Sequence, residues 1–95
     1  MVALQYDGEL YNLYPGMPVA VEKFERRNGA DLCLWETEAS ARSDMVSIQK
    51  WMGTHHPDEN AHNLDILNEV QFCTLSDRDL REMESRYGEI HFIVR

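Results

Sequence analysis

Val2-Ala-Leu-Gln-Tyr-Asp-Gly-Glu-Leu-Tyr-Asn-Leu-Tyr14 decides how this chain is read. Asp7-Gly8 stands between two short runs rich in apolar and aromatic residues, a strong local signal for a β-hairpin with a two-residue loop. Alternation along the second run puts Leu10, Asn12 and Tyr14 on one side and Tyr11 and Leu13 on the other. Pro15-Gly16 then ends the run as a type II turn would.

The chain beyond repeats this theme. A strand over Pro18 to Arg27 meets Asn28-Gly29, and Ala30 to Glu36 resumes as Ala-Asp-Leu-Cys-Leu-Trp-Glu. A second hairpin is expected here. A strict two-residue loop would oppose Glu22 to Trp35 and Glu25 to Leu32, which buries nothing useful. Shifting by one opposes Phe24 to Leu32 and Val21 to Trp35. That register gathers Val19, Val21, Cys33 and Trp35 on one face and requires a longer loop or a bulge near Arg26 and Arg27.

The first helix is expected over Thr37 to Met52, capped by Thr37 or Ser40, with Gly53 in the position that follows a helix end. Ala41, Met45, Ile48 and Met52 form its apolar stripe, and Val46 and Trp51 lie off it. Thr54 to Asn63 is polar, contains Pro57 and reads as a loop; Leu64 to Leu67 fits either a helical turn or the start of a strand. Glu69 to Leu75 alternates as a strand. Ser76 caps a second helix, Asp79 answers the cap, Leu80, Met83 and Tyr87 make the stripe, and Gly88 ends it. Glu89 to Arg95 closes as a strand.

One domain over 1–95 follows from the length. The expected fold class is α+β: a mainly antiparallel sheet of about five to six strands, built from N-terminal hairpins plus a C-terminal strand–helix–strand unit, with two helices on one face. Joined by a helix, the last two strands are expected to pair in parallel through a right-handed crossover.

Charge bounds the function. Seventeen Asp and Glu face nine Lys and Arg, a formal net charge of -8. Only Lys23, Arg26 and Arg27 cluster, so no surface tracks phosphates and direct nucleic-acid binding is disfavoured. No stretch is long and apolar enough for a membrane span, and no leader peptide is read at the start. Cys33 and Cys73 sit in apolar runs as small hydrophobes, and the chain reads as cytoplasmic with reduced thiols.

No motif for catalysis stands out. There is no G-x-S-x-G elbow and no phosphate-cradling glycine loop. The densest group of potential ligands is His55-His56-Pro57-Asp58-Glu59-Asn60-Ala61-His62. Imidazole and carboxylate together suit zinc, but the spacing matches no standard motif and the bland reading is a solvated loop. No cofactor is expected.

A negative surface suits a basic partner. The expectation is therefore a small acidic, non-catalytic protein-binding module that modulates or inhibits a larger protein. Phage and mobile-element inhibitors, anti-CRISPR proteins among them, have this general appearance, and an acidic stripe could occupy a basic nucleic-acid-binding surface. The candidate partner-binding residues are Tyr11, Tyr14, Glu22, Glu25, Asp31, Glu36, Trp51, Asp58 and Glu59. Tyr6, Tyr11, Tyr14, Trp35 and Trp51 are expected not to share one core face, which would leave Tyr11, Tyr14 and Trp51 as anchors. The alternatives are a metal-binding protein or metal-dependent enzyme using the His55–His62 loop, and a homodimer or larger assembly of this chain.

Overall fold

The computed structural model describes residues 1–16 and 19–95. In chain order the elements are β1 (Val2–Tyr6), β2 (Glu9–Tyr14), β3 (Ala20–Lys23) and β4 (Ala30–Leu34). There follow α1 (Glu38–Thr54), α2 (Ala61–Glu69), β5 (Gln71–Thr74), α3 (Asp77–Tyr87) and β6 (Ile90–Val94). The class is α+β; among the described residues six strands form an antiparallel sheet of order β3-β2-β1-β5 and a parallel pair β4-β6.

Local chemistry sets the first hairpin. Asp7 and Gly8 take φ of 50° and 77°, two successive left-handed residues as a type I′ turn requires, and Tyr6 lies opposite Glu9. Continuing that register would set Val2 opposite Leu13. Instead Val2 leaves β2 and exchanges both backbone bonds with Trp35, at 2.7 and 2.8 Å. On β2, the buried Asn12 takes over. Its side chain accepts the Cys33 N–H and donates to the Asp31 carbonyl, both at 2.8 Å, so one amide stands where a peptide group would.

This makes a layered molecule in which the antiparallel sheet is covered on both faces. On one side Val2, Leu4 and Leu13 meet Ala41, Met45, Ile48 and Met52 of α1 and Leu67 of α2. On the other, Ala3 and Leu10 meet Leu32, Leu34 and Ile90 of the parallel pair, with Leu80 and Met83 of α3 packed against them. Leu4, Leu13 and Leu32 are fully buried, each contributing about 1.5–3 kcal/mol over an exposed position.

The helices follow their caps. The Thr37 hydroxyl accepts the Ser40 N–H, and Ser76 and Asp79 form a reciprocal capping box at the start of α3. At the far end of β4, Trp35 Nε1 donates to Asp44 Oδ2 at 3.1 Å and Arg95 Nε donates to the same oxygen at 2.9 Å. The carboxylate thereby ties β4, α1 and the end of β6 together.

Several expectations are corrected. β3 does not form a hairpin with β4: it pairs with β2, Leu13 opposite Val21, while β4 pairs in parallel with β6, Leu32 opposite Phe92. The expected start of that strand at Pro18 lies outside the described residues. β5 and β6 do not pair with each other; β5 is antiparallel to β1, Ala3 opposite Cys73. Among the described residues three helices form rather than two, because Ala61–Glu69 is helical; Ala61, His62 and Asn63 belong to α2 rather than a loop, and Glu69 ends that helix rather than starting a strand. α1 runs through Gly53 to Thr54, and His55 caps it.

Tyr6, Tyr11, Tyr14, Trp35 and Trp51 do not all share one core, since Tyr6 lies outside the cluster that takes the other four. Trp35 is buried in the cluster beneath α1, and Tyr11, Tyr14 and Trp51 pack half-buried against the same cluster. No described helix is long and apolar enough to cross a membrane.

Candidate functional site

The departure of β4 from β3 leaves a space between them. The chain crosses it over Phe24 to Gly29: the Phe24 N–H donates to the Leu10 carbonyl at 2.8 Å and its ring is buried. The result is an open groove of about 890 Å³. Asn12 and Tyr14 of β2 and Glu22 and Lys23 of β3 form one side, Glu25 to Arg27 the connecting segment, and Ala30 and Asp31 the other side.

Four of the sequence-derived residues, Tyr14, Glu22, Glu25 and Asp31, meet here. They are distant in sequence and converge because β2 and β3 are register neighbours, with Tyr14 opposite Ala20 and Asn12 opposite Glu22, and because Asn12 holds Asp31 through its carbonyl. Four carboxylates face three cations in the lining, and the cations are engaged internally. Glu9 takes Lys23 at 3.7 Å and Arg26 at 3.4 Å, and Glu25 takes Arg27 at 2.6 Å. Asp31 meets His91 at 3.3 Å. Among the described residues no Lys, Arg or His pairs with Glu22. These exposed pairs are worth about 0–1 kcal/mol each, so an incoming cation can exchange with them.

Tyr14 reports this field. Burial pushes its phenol above the ordinary tyrosine range, with Cys33, Asp31 and Glu22 adding to the rise and the Asn12 amide opposing it. The Asn12 Nδ2 donates to the Tyr14 hydroxyl at 3.0 Å, which fixes the ring at the groove's inner end. Burial likewise pushes the Cys33 thiol up, so its sulfur is held as a neutral core group. A neutral phenol beside carboxylates suits an alkylammonium or guanidinium whose methylene stem lies on the ring.

The other candidates lie elsewhere. Tyr11 projects from the opposite face of β2 and meets Tyr6 edge-on at 5.6 Å between centroids. Trp51 stacks on His55 at 4.8 Å. Glu36 is exposed just ahead of α1, and Asp58 and Glu59 are exposed between α1 and α2. His55, His56 and His62 do not gather into a ligand set: His55 lies on Trp51, His56 faces Glu59 at 3.8 Å, and no group of three or more His, Cys, Asp or Glu converges among the described residues. Asn60, nearly buried, donates to the carbonyls of His55 and His56 and holds this connection.

Sequence reasoning missed Asn12, Phe24 and the basic trio as groove residues. The available signals were a polar residue at an apolar position of β2 and the single basic cluster beside Glu22 and Glu25. Neither signal says what lies across the gap. No family model, curated protein or solved structure matches this chain significantly.

Proposed function

We propose that this chain is a small acidic, non-catalytic protein-binding module that docks on a basic surface of a larger protein and modulates or inhibits it. The observation that carries this reading is the convergence of Tyr14, Glu22, Glu25 and Asp31 on one groove whose own cations are already engaged by Glu9 and Glu25. A lysine or arginine of the partner enters with its stem on Tyr14 and its head between Glu22 and Asp31. The net charge of -8 steers the encounter and makes it salt-dependent. Basic surfaces of this kind are typical of nucleic-acid-binding proteins, so the module competes with nucleic acid for its partner. Such a mode of action fits a phage or mobile-element inhibitor working in a reducing cytoplasm.

The test is a titration of a labelled lysine-rich peptide into the full chain at roughly 50 and 200 mM salt. Binding that weakens steeply with salt, and that weakens further in Glu22→Gln/Asp31→Asn but not in Asp58→Asn/Glu59→Gln, supports the groove. Equal losses in the two double variants would show a diffuse charge effect, and salt-insensitive binding would remove the electrostatic basis altogether.

A further inference from the structure

We propose that β6 pairs antiparallel with β6 of a second copy of this chain, across a two-fold axis at Phe92, so that two β4-β6 pairs fuse into one four-stranded sheet.

Four of the described strands lie at sheet edges, and they are not equally protected. The side of β4 away from β6 is closed by the Asn12 side chain and by Val2, which bonds the adjoining Trp35. β3 has four residues and carries the exposed charges of Glu22 and Lys23. β5 has four residues, and the Arg42 guanidinium lies over its Phe72 ring at 4.8 Å. β6 is longer, at five residues, with no Lys, Arg, Asp, Glu or Pro. Its Ile93 and Val94 are 37% and 49% exposed. Charges, prolines and bulges are the usual means of blunting an edge, and β6 has none of these residue types.

The backbone of β6 is oriented for this pairing. The Arg95 N–H donates to the Leu34 carbonyl at 2.8 Å, so position 95 faces β4. By strand alternation His91 and Ile93 face β4 as well, and Ile90, Phe92 and Val94 turn their N–H and C=O groups away from it, with Ile90 buried at the start of the strand and Val94 exposed at its end. Among the described residues no backbone group from outside the β4-β6 ladder bonds these three.

The charge pattern selects a second copy and a register. Full overlap of the strand sets Phe92 opposite itself, Ile90 opposite Val94 and His91 opposite Ile93. Just beyond each end, Glu89 then faces the second copy's Arg95, an opposite-charge pair that symmetry makes twice. Arg95 is already fixed at that end by its Nε bond to Asp44. A chain of net charge -8 repels itself in general, yet residues 90–95 contain no acid. Exposed Ile93 and Val94 are covered by the pairing. An interface this small belongs to the weak, concentration-dependent class. It leaves the groove residues Tyr14 and Glu22 untouched and meets the groove only through His91, which pairs with Asp31 at 3.3 Å; oligomeric state read without any groove ligand tests it apart from the proposed function.

Sedimentation equilibrium of the full chain without any ligand tests it. The expected result is a reversible monomer–dimer equilibrium whose dissociation constant rises about tenfold or more in Ile93→Lys/Val94→Lys. Both positions are exposed, and a circular-dichroism melt confirms that this variant folds. A second arm mixes His91→Cys chains with Ile93→Cys chains under mild oxidation. The mixture should form a disulfide-linked heterodimer, and each variant alone should crosslink far less. Monomer at every concentration, or a dimer indifferent to the lysines with no preference for the mixed crosslink, would overturn the proposal.

Discussion

Asn12 and Cys33 are joined side chain to backbone: the Cys33 N–H donates to Asn12 Oδ1 at 2.8 Å, and Asn12 is 4% exposed. The same amide donates to the Asp31 carbonyl. Asn12→Leu strands both backbone groups in the interior and is expected to cost about 2–4 kcal/mol. Asn12→Asp keeps the acceptor for Cys33 but turns an acceptor toward the Asp31 carbonyl, so it too destabilises at neutral pH. Urea unfolding of both variants, read at the transition midpoint, checks this.

Asp44 closes the other end of β4. Asp44→Ala removes the acceptor of both Trp35 Nε1 and Arg95 Nε and should cost about 1.5–3 kcal/mol. Asp44→Asn retains an acceptor for the indole and should cost less than half as much. The fluorescence of Trp35 should shift in the first variant more than in the second.

Gly88 and Gly29 separate strain from crowding. Both have positive φ, +96° and +80°. At Gly88 an added Cβ would lie 2.6 Å from Asn28 Oδ1, the atom that accepts the Glu89 N–H. At Gly29 the space is open, with Arg27 Nη1 at 4.0 Å. Gly29→Ala should therefore cost about 1 kcal/mol and Gly88→Ala clearly more, with thermal melts giving the order.

The cap of α3 gives a pH dependence of defined sign. The backbone N–H of Ser76, and then its side chain, hold the Asp79 carboxyl below the usual range. A depressed folded value means that the contribution is fully present above the unfolded carboxylate pKa of about 3.9 and is lost as pH falls through the folded value. Asp79→Asn should flatten the acid limb of the stability curve in that window. Ser76→Ala should weaken the whole curve by about 1 kcal/mol.

Tyr14 gives the opposite sign. Its raised value means that its contribution is fully present below the unfolded tyrosine pKa of about 10 and is lost as pH rises through the folded value. Ultraviolet titration should show a late phenol ionisation that is missing in Tyr14→Phe. Glu22→Gln/Asp31→Asn should bring the step to lower pH without abolishing it, because burial is the leading cause of the shift.

What could be read in advance divides by range. The Asp7-Gly8 turn, the Ser76 capping box and the Ala41–Met52 stripe are settled by residues a few positions apart, and these readings hold; of the expected stripe Leu80, Met83 and Tyr87, the first two pack against the core while Tyr87 lies under the Arg26 guanidinium. The partner of β4 is not. Asn28-Gly29 carries the composition of a hairpin, yet Gly29 donates its N–H to the Glu89 carbonyl at 2.7 Å and Asn28 accepts from Glu89, sixty-one residues on. A local signal can supply the left-handed residue and remain silent about which strand follows beside it. α2 was obscured because Asn60 makes no side-chain cap bond and only Ile66 and Leu67 are buried over nine residues. The groove was half legible. The sequence offered its acids and Tyr14, but Asn12, which assembles it, meets partners nineteen and twenty-one residues away.

The position of β1 in the sheet has a consequence for biosynthesis. β1 is an inner strand, paired to β5 with Val2 opposite Thr74, and its Val2 also needs Trp35. Made before the other five described strands, it finds β2 at once, Trp35 next, and β5 only when most of residues 1–95 have been made. Contacts of such long sequence separation fold slowly. A chain ending at Glu69 should show no cooperative unfolding transition, since one edge of β1 and the whole of β6 are missing. The strand of this fold made before the others is therefore among the last to be satisfied, and the nascent fold carries an open, apolar edge until β5 is made.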